Sequence, residues 1–463
     1  MPQQYDAIII GAGQAGVPLA KKLANAGKKV ALIEKRWVGG VCVNDGCTPT
    51  KTWVASARAA YIAGNSAAVG ITAKGVKVNM TVIKKRKDAL IKNARDGIQK
   101  ALEKTKNLDL IFGDATFSGD KTLTIALNSG KIKEIKADQI FINTGNKTII
   151  PQIKAIDEIP YLTSTSILEL DKVPEHLLII GANYIGLEFG QMFRRFGSKV
   201  TLLEQSPGIL SREDKDVADA MHQILTDEGL IIHTRAQAIS FKKTAKGNIK
   251  ATITVAGKEQ SIKCTHVLIA AGRAPNTDTL NLDKAGIKTN EKGYIKVNDK
   301  LETNITGIYA LGDVNGGPAF TNIAYNDFTI VYRNWIEKQD LSTKNRQVPY
   351  CMFTDPQLGR IGLTENEAQK QKLKNIKTVV MPMRAVARAA EVGDTRGLMK
   401  AIINTKTKKI LGAAIIGTEG GEIISVLQMA MAGGLTYEQV RYFIFAHPTY
   451  SESLNNLFMN VDG

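Results

Sequence analysis

Residues 6–16 read Asp6-Ala7-Ile8-Ile9-Ile10-Gly11-Ala12-Gly13-Gln14-Ala15-Gly16. A short apolar run enters a Gly-x-Gly-x-x-Gly turn, a helical stretch follows to Gly27, and a second strand over 29–34 ends on Glu34. This is the βαβ pattern of a dinucleotide fold. Its first glycine allows the tight turn, its second lets the backbone approach a pyrophosphate, and its third lets the helix pack closely on the strand. The helix N-terminus would take phosphates, and Glu34 would accept hydrogen bonds from an adenosine ribose. The glycines alone are weak evidence and also fit an ordinary glycine-rich turn. Strand, helix and terminal acid together make nucleotide binding the expectation.

The pattern returns further along. Leu177-Leu178-Ile179-Ile180 runs into Gly181-Ala182-Asn183-Tyr184-Ile185-Gly186, and the next strand ends at Glu204. Eighteen positions separate Gly16 from Glu34 and also Gly186 from Glu204, so two nucleotide sites are expected in one chain. Asn183 stands where the middle glycine should be. Asparagine is the non-glycine residue that best tolerates a left-handed backbone, so the turn survives while close approach of a pyrophosphate becomes harder. Glu204 should bind a ribose 2′-hydroxyl and repel a 2′-phosphate, and Gln205 and Ser206 supply no arginine to neutralise one.

Between the two copies lies Gly39-Gly40-Val41-Cys42-Val43-Asn44-Asp45-Gly46-Cys47-Thr48-Pro49-Thr50-Lys51. The glycine pair lets the backbone turn before Cys42. Residues 48–60 read as a helix opening just after Cys47, with Pro49 in a first turn, where no N–H is needed. A thiol at such an end faces unpaired N–H groups and the positive end of the helix dipole, which favours thiolate. A structural disulfide is disfavoured in a chain with no secretory signal. A zinc site would need about four ligands, and Cys264 and Cys351 lie alone in strand-like runs that read as buried core. No metal-ligand set is expected, and the pair reads as a redox centre.

Gly-Gly-x-Cys-x-Asn-x-Gly-Cys-x-Pro-Thr-Lys resembles the active site of the FAD-dependent pyridine nucleotide–disulfide oxidoreductases, which include glutathione reductase, dihydrolipoyl dehydrogenase and mercuric reductase. Later motifs fall in that family's order across essentially the whole chain. The resemblance implies an α/β fold with two Rossmann-like dinucleotide-binding domains and a C-terminal α+β dimerisation domain. The boundaries expected are 1–149 and 272–345 for FAD, 150–271 for NAD(P), and 346–463 for the interface. It assigns the first fingerprint to FAD, with Gly11, Gly13, Gly16, Glu34, Lys51, Thr144, Gly145 and Asp313 as contacts. The second goes to a nicotinamide dinucleotide, with Gly181, Tyr184, Gly186, Glu204 and Gly272. The Glu204 argument then predicts NADH over NADPH.

By the same resemblance, Cys47 is the thiolate next to the flavin and Cys42 the exchanging thiol. Lys51 pairs with Glu188 beside the flavin, and Tyr184 covers the flavin until nicotinamide displaces it. In His447-Pro448-Thr449-Tyr450-Ser451-Glu452, His447 is the expected acid/base and Glu452 orients it. The pair reaches across to the other subunit's cysteines, which implies an obligate homodimer. Residues 48–52 and Gly393-Asp394-Thr395-Arg396-Gly397 are most similar to mercuric reductase and its metal-reducing relatives. The vicinal C-terminal cysteines and N-terminal metal-binding domain of mercuric reductase are not found, which points away from Hg(II). The expectation is an NADH-dependent reductase of a small-molecule disulfide or a thiophilic metal ion such as Cu(II), with dihydrolipoyl dehydrogenase as the alternative. Val41 replaces the family's usual Thr or Ser and removes a hydroxyl that could contact an FAD phosphate.

The 463 residues carry a net charge of +17. The lysines are scattered apart from Lys84-Lys85-Arg86-Lys87, which reads as the solvated face of a long surface helix over 82–102. Strands are expected over 108–112, 122–127, 132–137 and 141–145. No aromatic-interleaved basic stripe is present, so nucleic acid is not an expected partner. An NADH-sensing or nucleic-acid-associated flavoprotein is the remaining alternative of another class. No long apolar segment or leader pattern is visible, which predicts no membrane span and a cytoplasmic protein.

Overall fold

The computed structural model describes residues 2–245 and 247–462. The chain divides into one unit of Met1–Thr52, Lys84–Ile149 and Gly272–Arg346, and another of Trp53–Ile83, Ile150–Ala271 and Gln347–Gly463.

In the first unit, β1 (Gln3–Ile10), α1 (Gly16–Asn25) and β2 (Val30–Glu34) form the βαβ element. β1 pairs in parallel with β2, Ile8 opposite Ala31. On its other side it pairs in parallel with β5 (Ile132–Ile142), Ile8 opposite Ile140. Ala7, Ile8 and Ile9 are fully buried, as a continuous apolar run in a central parallel strand requires. β3 (Leu108–Gly119) extends the sheet beyond β2, and strand Ile308–Ala310 extends it beyond β5. β4 (Thr122–Leu127) bridges β3 and β5 in antiparallel fashion.

Two expectations change here. Residues 132–137 and 141–142 belong to one strand, because β1 supplies backbone partners through the polar residues between them, with Ala7 opposite Gln139. The first strand likewise begins at Gln3, since Gln3 and Gln4 pair with Ile135 and Lys136.

Three helices follow the fingerprint in sequence: α2 (Gly40–Asn44), α3 (Cys47–Asn65) and α4 (Met80–Glu103). α4 is the expected long helix, but its basic cluster is not wholly a solvated face. Lys87 is 1% exposed and pairs with Asp88 at 2.8 Å, whereas Val82 and Leu90 are exposed. Met80, Lys87 and Ile91 share the buried side at helical spacing, and the long aliphatic stem of lysine suits such a position.

The second unit holds a five-stranded parallel sheet in the order Ile231–His233, Lys199–Leu203, His176–Ile180, His266–Ile269, Tyr161–Leu162. α5 (Tyr184–Phe196) follows its middle strand. A three-stranded antiparallel sheet spans residues 236–264. The C-terminal part is a five-stranded antiparallel sheet whose core includes residues of helices Gly420–Ala432 and Ser453–Met459. Cys264 is buried, and burial pushes its thiol up to about 12. Cys351 is only half-buried, its Sγ 3.8 Å from Gln357 Oε1, so it is not the core cysteine expected. Among the described residues no helix is long and apolar enough to cross a membrane.

Candidate active site

The first glycine loop leaves no room for side chains. An ideal Cβ on Gly11 (φ +102°) would sit 2.3 Å from Asn143 O, and one on Gly16 2.0 Å from Gly11 O. Helix α1 starts without a side-chain bond from its N-cap residue, Ala15, and the Gly16 N–H donates to Asn143 Oδ1 at 3.0 Å. Asn143 Nδ2 donates to Leu311 O at 2.8 Å, so one asparagine ties the phosphate loop to the turn carrying Asp313. Asp327, fully buried, accepts from Gly312 N at 2.8 Å and pairs with Arg346 at 2.5 Å, fixing that turn from behind. Burial raises the Asp313 pKa, while the Arg273 charge opposes the rise.

Glu34 ends β2 as expected. Its Oε2 accepts from Ala12 N at 2.9 Å and its Oε1 from Arg36 N at 2.7 Å, which aims the carboxylate beside the loop with lone pairs left for a ribose diol. Thr144 and Gly145 are bound to Asn276: Thr144 Oγ1 donates to Asn276 O at 2.8 Å, and Asn276 N donates to Gly145 O at 3.0 Å. Gly272 (φ +136°) adjoins the short antiparallel connection Arg273–Pro275 with Asn146–Thr148, its carbonyl accepting from Ile149 N. A tight glycine turn at a helix start, with Glu34 at the neighbouring strand end and Asp313 on the turn that Asp327 braces, fits the pyrophosphate, ribose and ribitol of FAD.

The cysteine loop is built on this cradle. Gly39 (φ +97°) and Gly40 (φ +63°) make the expected turn, and an ideal Cβ on Gly40 would lie 2.8 Å from Gly13 Cα. Gly39 N donates to Ala12 O at 2.8 Å, and Gln14 Nε2 donates to Gly39 O at 3.0 Å. Buried Asn44 donates to Val38 O and Gly40 O and accepts from Arg95 Nε at 2.9 Å, locking α2. Cys42 and Cys47 are not joined by a disulfide, and a hydrogen bond links the two sulfurs.

Cys47 is itself the first residue of α3, one position earlier than expected. Its Sγ lies 3.5 Å from Oγ1 of Thr321, the first residue of the helix Thr321–Ile336, so the sulfur meets a second helix N-terminus. The Cys42 pKa is driven far above the ordinary thiol range, first by its hydrogen bond with Cys47, then by burial, then by the Cys47 charge. Thr321 and Lys51 pull the other way. Cys42 is therefore the thiol that the surroundings keep protonated. Asn44 belongs to the cysteine motif, whereas Asn143, Thr321 and Asp327 carry no site role in the sequence reading, because their partners lie far along the chain or on unremarkable backbone.

The second cradle repeats the first with one substitution. Gly181 (φ +104°) faces Ala270 O at 2.5 Å, and Gly186 faces Gly181 O at 2.0 Å, each for an ideal Cβ. Glu204 Oε2 accepts from Ala182 N at 3.0 Å and its Oε1 from Ser206 N at 2.8 Å. Asn183 is extended (φ −104°, ψ −174°), not left-handed, and its side chain accepts from Tyr184 N at 2.9 Å, capping α5. Arg235 N donates to Ser206 O at 3.0 Å, so the fold brings beside this strand end a cationic residue that is distant in sequence. Glu188 is buried and its Oε1 accepts from Phe353 N at 2.7 Å.

In the C-terminal part, His447 Nδ1 is 2.9 and 3.0 Å from the two Glu452 oxygens, with the imidazole largely exposed. Arg396, from the mercuric-reductase-like stretch, grips Asp394 at 2.7 and 2.9 Å and reaches Glu228 at 2.6 Å, a structural network.

Two dinucleotide folds in one chain, with a dithiol seated on the loop of the first, define a nucleotide-dependent dithiol oxidoreductase. The chain belongs to the pyridine nucleotide-disulphide oxidoreductases: that family's model matches residues 5–327, and the family's dimerisation-domain model matches residues 348–458. It is 38% identical over 464 residues to the probable pyridine nucleotide-disulfide oxidoreductase RclA of Escherichia coli K12, covering 99% of each. It is 36% identical over 461 residues to mercuric reductase of Staphylococcus aureus, covering 99% of this chain and 82% of that one. Among solved structures it is similar to the Cu(II) complex of the HOCl-induced flavoprotein disulfide reductase RclA from Escherichia coli, with TM-score 0.90, 38% identity and 99% of each chain covered. The protein is thus an FAD-dependent, NAD(P)H-using oxidoreductase of the class acting on sulfur groups or metal ions.

Proposed function

We propose that the protein is an NADH-dependent reductase that uses Cys42 and Cys47 to reduce a small-molecule disulfide or a thiophilic metal ion such as Cu(II). The observation that carries this reading is the dithiol held against the first nucleotide loop, with Cys47 at two helix N-termini. A 38% identical neighbour solved as a Cu(II) complex supports the metal-ion arm.

In this reading residues 1–149 and 272–345 hold FAD, residues 150–271 hold NADH, and residues 346–463 form the interface. Bound FAD supplies the two-electron chemistry that couples NADH oxidation to opening of the Cys42–Cys47 disulfide. Glu34 and Glu204 bind the two adenosine riboses, Lys51 and Glu188 keep the roles the resemblance gives them, and Tyr184 fills the place that nicotinamide takes. Cys47 holds the negative charge. Cys42 attacks a substrate disulfide, forming one S–S bond as the substrate's own breaks, and His447 of a second copy protonates the departing thiolate. Cys47 then attacks Cys42, releasing the second substrate thiol and closing the disulfide. With Cu(II), the dithiol gives one electron to each of two ions and two protons to solvent, so one NADH reduces two Cu(II).

A second copy is supported by apolar residues left exposed in the interface part, among them Ile444 (92%), Met429 and Tyr442. We place the enzyme in the cytoplasm, as the sequence suggests. NADH is the preferred donor in this reading, since Glu204 would repel a 2′-phosphate, and a higher kcat/KM with NADPH, for which Arg235 is the available cation, would overturn it.

The deciding experiment is anaerobic NADH titration followed by visible absorbance, on the wild type and on Cys47→Ser. A long-wavelength band at two-electron reduction in the wild type alone is the expected result, together with a loss of at least about 1000-fold in Cu(II) or disulfide turnover in the variant. Simple bleaching in both would sink the mechanism. The intact His447–Glu452 pair favours dihydrolipoyl dehydrogenase as the second reading, and brisk reduction of NAD+ by dihydrolipoamide would promote it.

A further inference from the structure

Four residues of the second unit form a polar cluster to which the reading above gives no collective task. Glu213 is 5% exposed, with its carboxylate wholly buried. Tyr350 Oη donates to Glu213 Oε1 at 2.5 Å, and Tyr184 Oη donates to the same oxygen at 3.2 Å. Arg360 Nε lies 3.6 Å from Glu213 Oε2, and both residues are almost completely buried. Among the described residues, that Oε2 and both terminal nitrogens of Arg360 have no hydrogen-bond partner. Hydrogen bonding to this buried carboxylate therefore rests on the two phenols. Burial first, then the Glu213 charge, raises the pKa of both phenols, so each keeps the proton it donates.

The two donors are not equivalent. Tyr350 sits in a strand, register partner of Arg360, and makes the shorter bond. Tyr184 is the first residue of α5 and makes the longer one; its backbone N–H lies where a pyrophosphate would dock. The rings tilt together at 5.5 Å between centroids. A buried carboxylate that loses its last donor pays the desolvation of a charge, whereas one that loses a second donor retains partial satisfaction.

We propose that Glu213 is the latch of the nicotinamide pocket: it holds Tyr184 in place by the hydroxyl, and Tyr350 remains on the same oxygen when Tyr184 swings aside. This rests on the reading of Tyr184 as the ring that nicotinamide displaces. Glu213 and Tyr350 are positioning residues, acting through Tyr184.

The latch predicts shifts of opposite sign. In Tyr184→Phe the ring is retained and the bond to be broken is gone, so the apparent Kd for NADH falls about three- to tenfold. In Tyr350→Phe, Tyr184 becomes the sole hydroxyl donor to Glu213, and the apparent Kd rises by a comparable factor. The measurement is anaerobic rapid mixing of each flavin-loaded enzyme with NADH. The apparent Kd comes from the saturation of the flavin-reduction rate, and the limiting rate is read separately. A merely structural role would weaken binding in both variants. Shifts of the same sign, or no shift, overturn the latch while leaving the enzymatic reading intact. Failure of NADH to reduce the wild-type flavin overturns both.

Discussion

The two nucleotide cradles are built alike at their outer glycines and differently at the centre. Gly16 and Gly186 each leave only 2.0 Å between an ideal Cβ and the carbonyl of Gly11 or Gly181, so neither position admits a side chain. At the centre, Gly13 faces Asn143 Oδ1, which an ideal Cβ would approach to 2.9 Å; that carboxamide comes from the end of β5 and takes the Gly16 N–H. In the second cradle the corresponding strand end is Ala270, and the asparagine sits in the loop itself as Asn183, taking the Tyr184 N–H. The middle glycine of the fingerprint is thus set by what stands opposite it. Where the opposing side chain is a methyl, an extended asparagine fits, and it occupies an N–H that a phosphate would otherwise receive.

The largest effects are expected at the outer glycines. Gly16→Ala should cost about 3 kcal/mol or more through an unrelievable backbone clash and abolish flavin retention, and Gly186→Ala should do the same to NADH binding. Flavin content after gel filtration and NADH saturation kinetics report the two separately; retention of both ligands would show that the loops yield more than their geometry allows.

A smaller effect sharpens the centre. Asn183→Gly should lower KM for NADH about threefold while costing a few tenths of a kcal/mol of stability, since a glycine N-cap is nearly as good as asparagine. Adding Ala270→Asn rebuilds the first arrangement. If Asn183→Gly raises KM, the side chain helps hold the dinucleotide and the competition argument is wrong.

A pH-dependent effect belongs to the dithiol, which only the first cradle carries. Cys42 has its pKa raised in the folded dithiol, chiefly by Cys47. The folded form therefore keeps a proton that the unfolded chain gives up near its ordinary thiol value of 9.0, and the stability this contributes below that pH is lost as pH rises above it. Reduced enzyme should lose a few degrees of Tm relative to oxidised enzyme above about pH 9, and Cys42→Ser should remove the difference. Parallel melting curves for the two redox forms would contradict the assignment of charge to Cys47.

Much of this was legible because local chemistry and tertiary structure agree. Glycine spacing, strand hydrophobicity and terminal acids located both cradles, and the cysteine motif located the redox loop. What escaped was set by distant partners. Lys87 looked solvated because its sequence neighbours are basic, yet helical periodicity puts it on the side of Met80 and Ile91. Cys351 looked buried because its strand is apolar, yet it is left half-exposed. Thr321 sits 274 residues from Cys47, and Glu213 stands 29 residues from Tyr184 and 137 from Tyr350; no spacing rule links such positions. Asn143 lay within a strand motif that was recognised, but its role is visible only where three chain segments meet.

The back-to-back contact of Gly40 with Gly13 has a practical consequence for handling the enzyme. The wall of the phosphate cradle is also the floor of the sulfur loop, tied by the Gly39 N–H to Ala12 O. Shelf life should therefore follow flavin content: enzyme stripped of its nucleotide loses the brace under its thiols first, and over-oxidised sulfur should accumulate in storage before any loss of helix signal is seen.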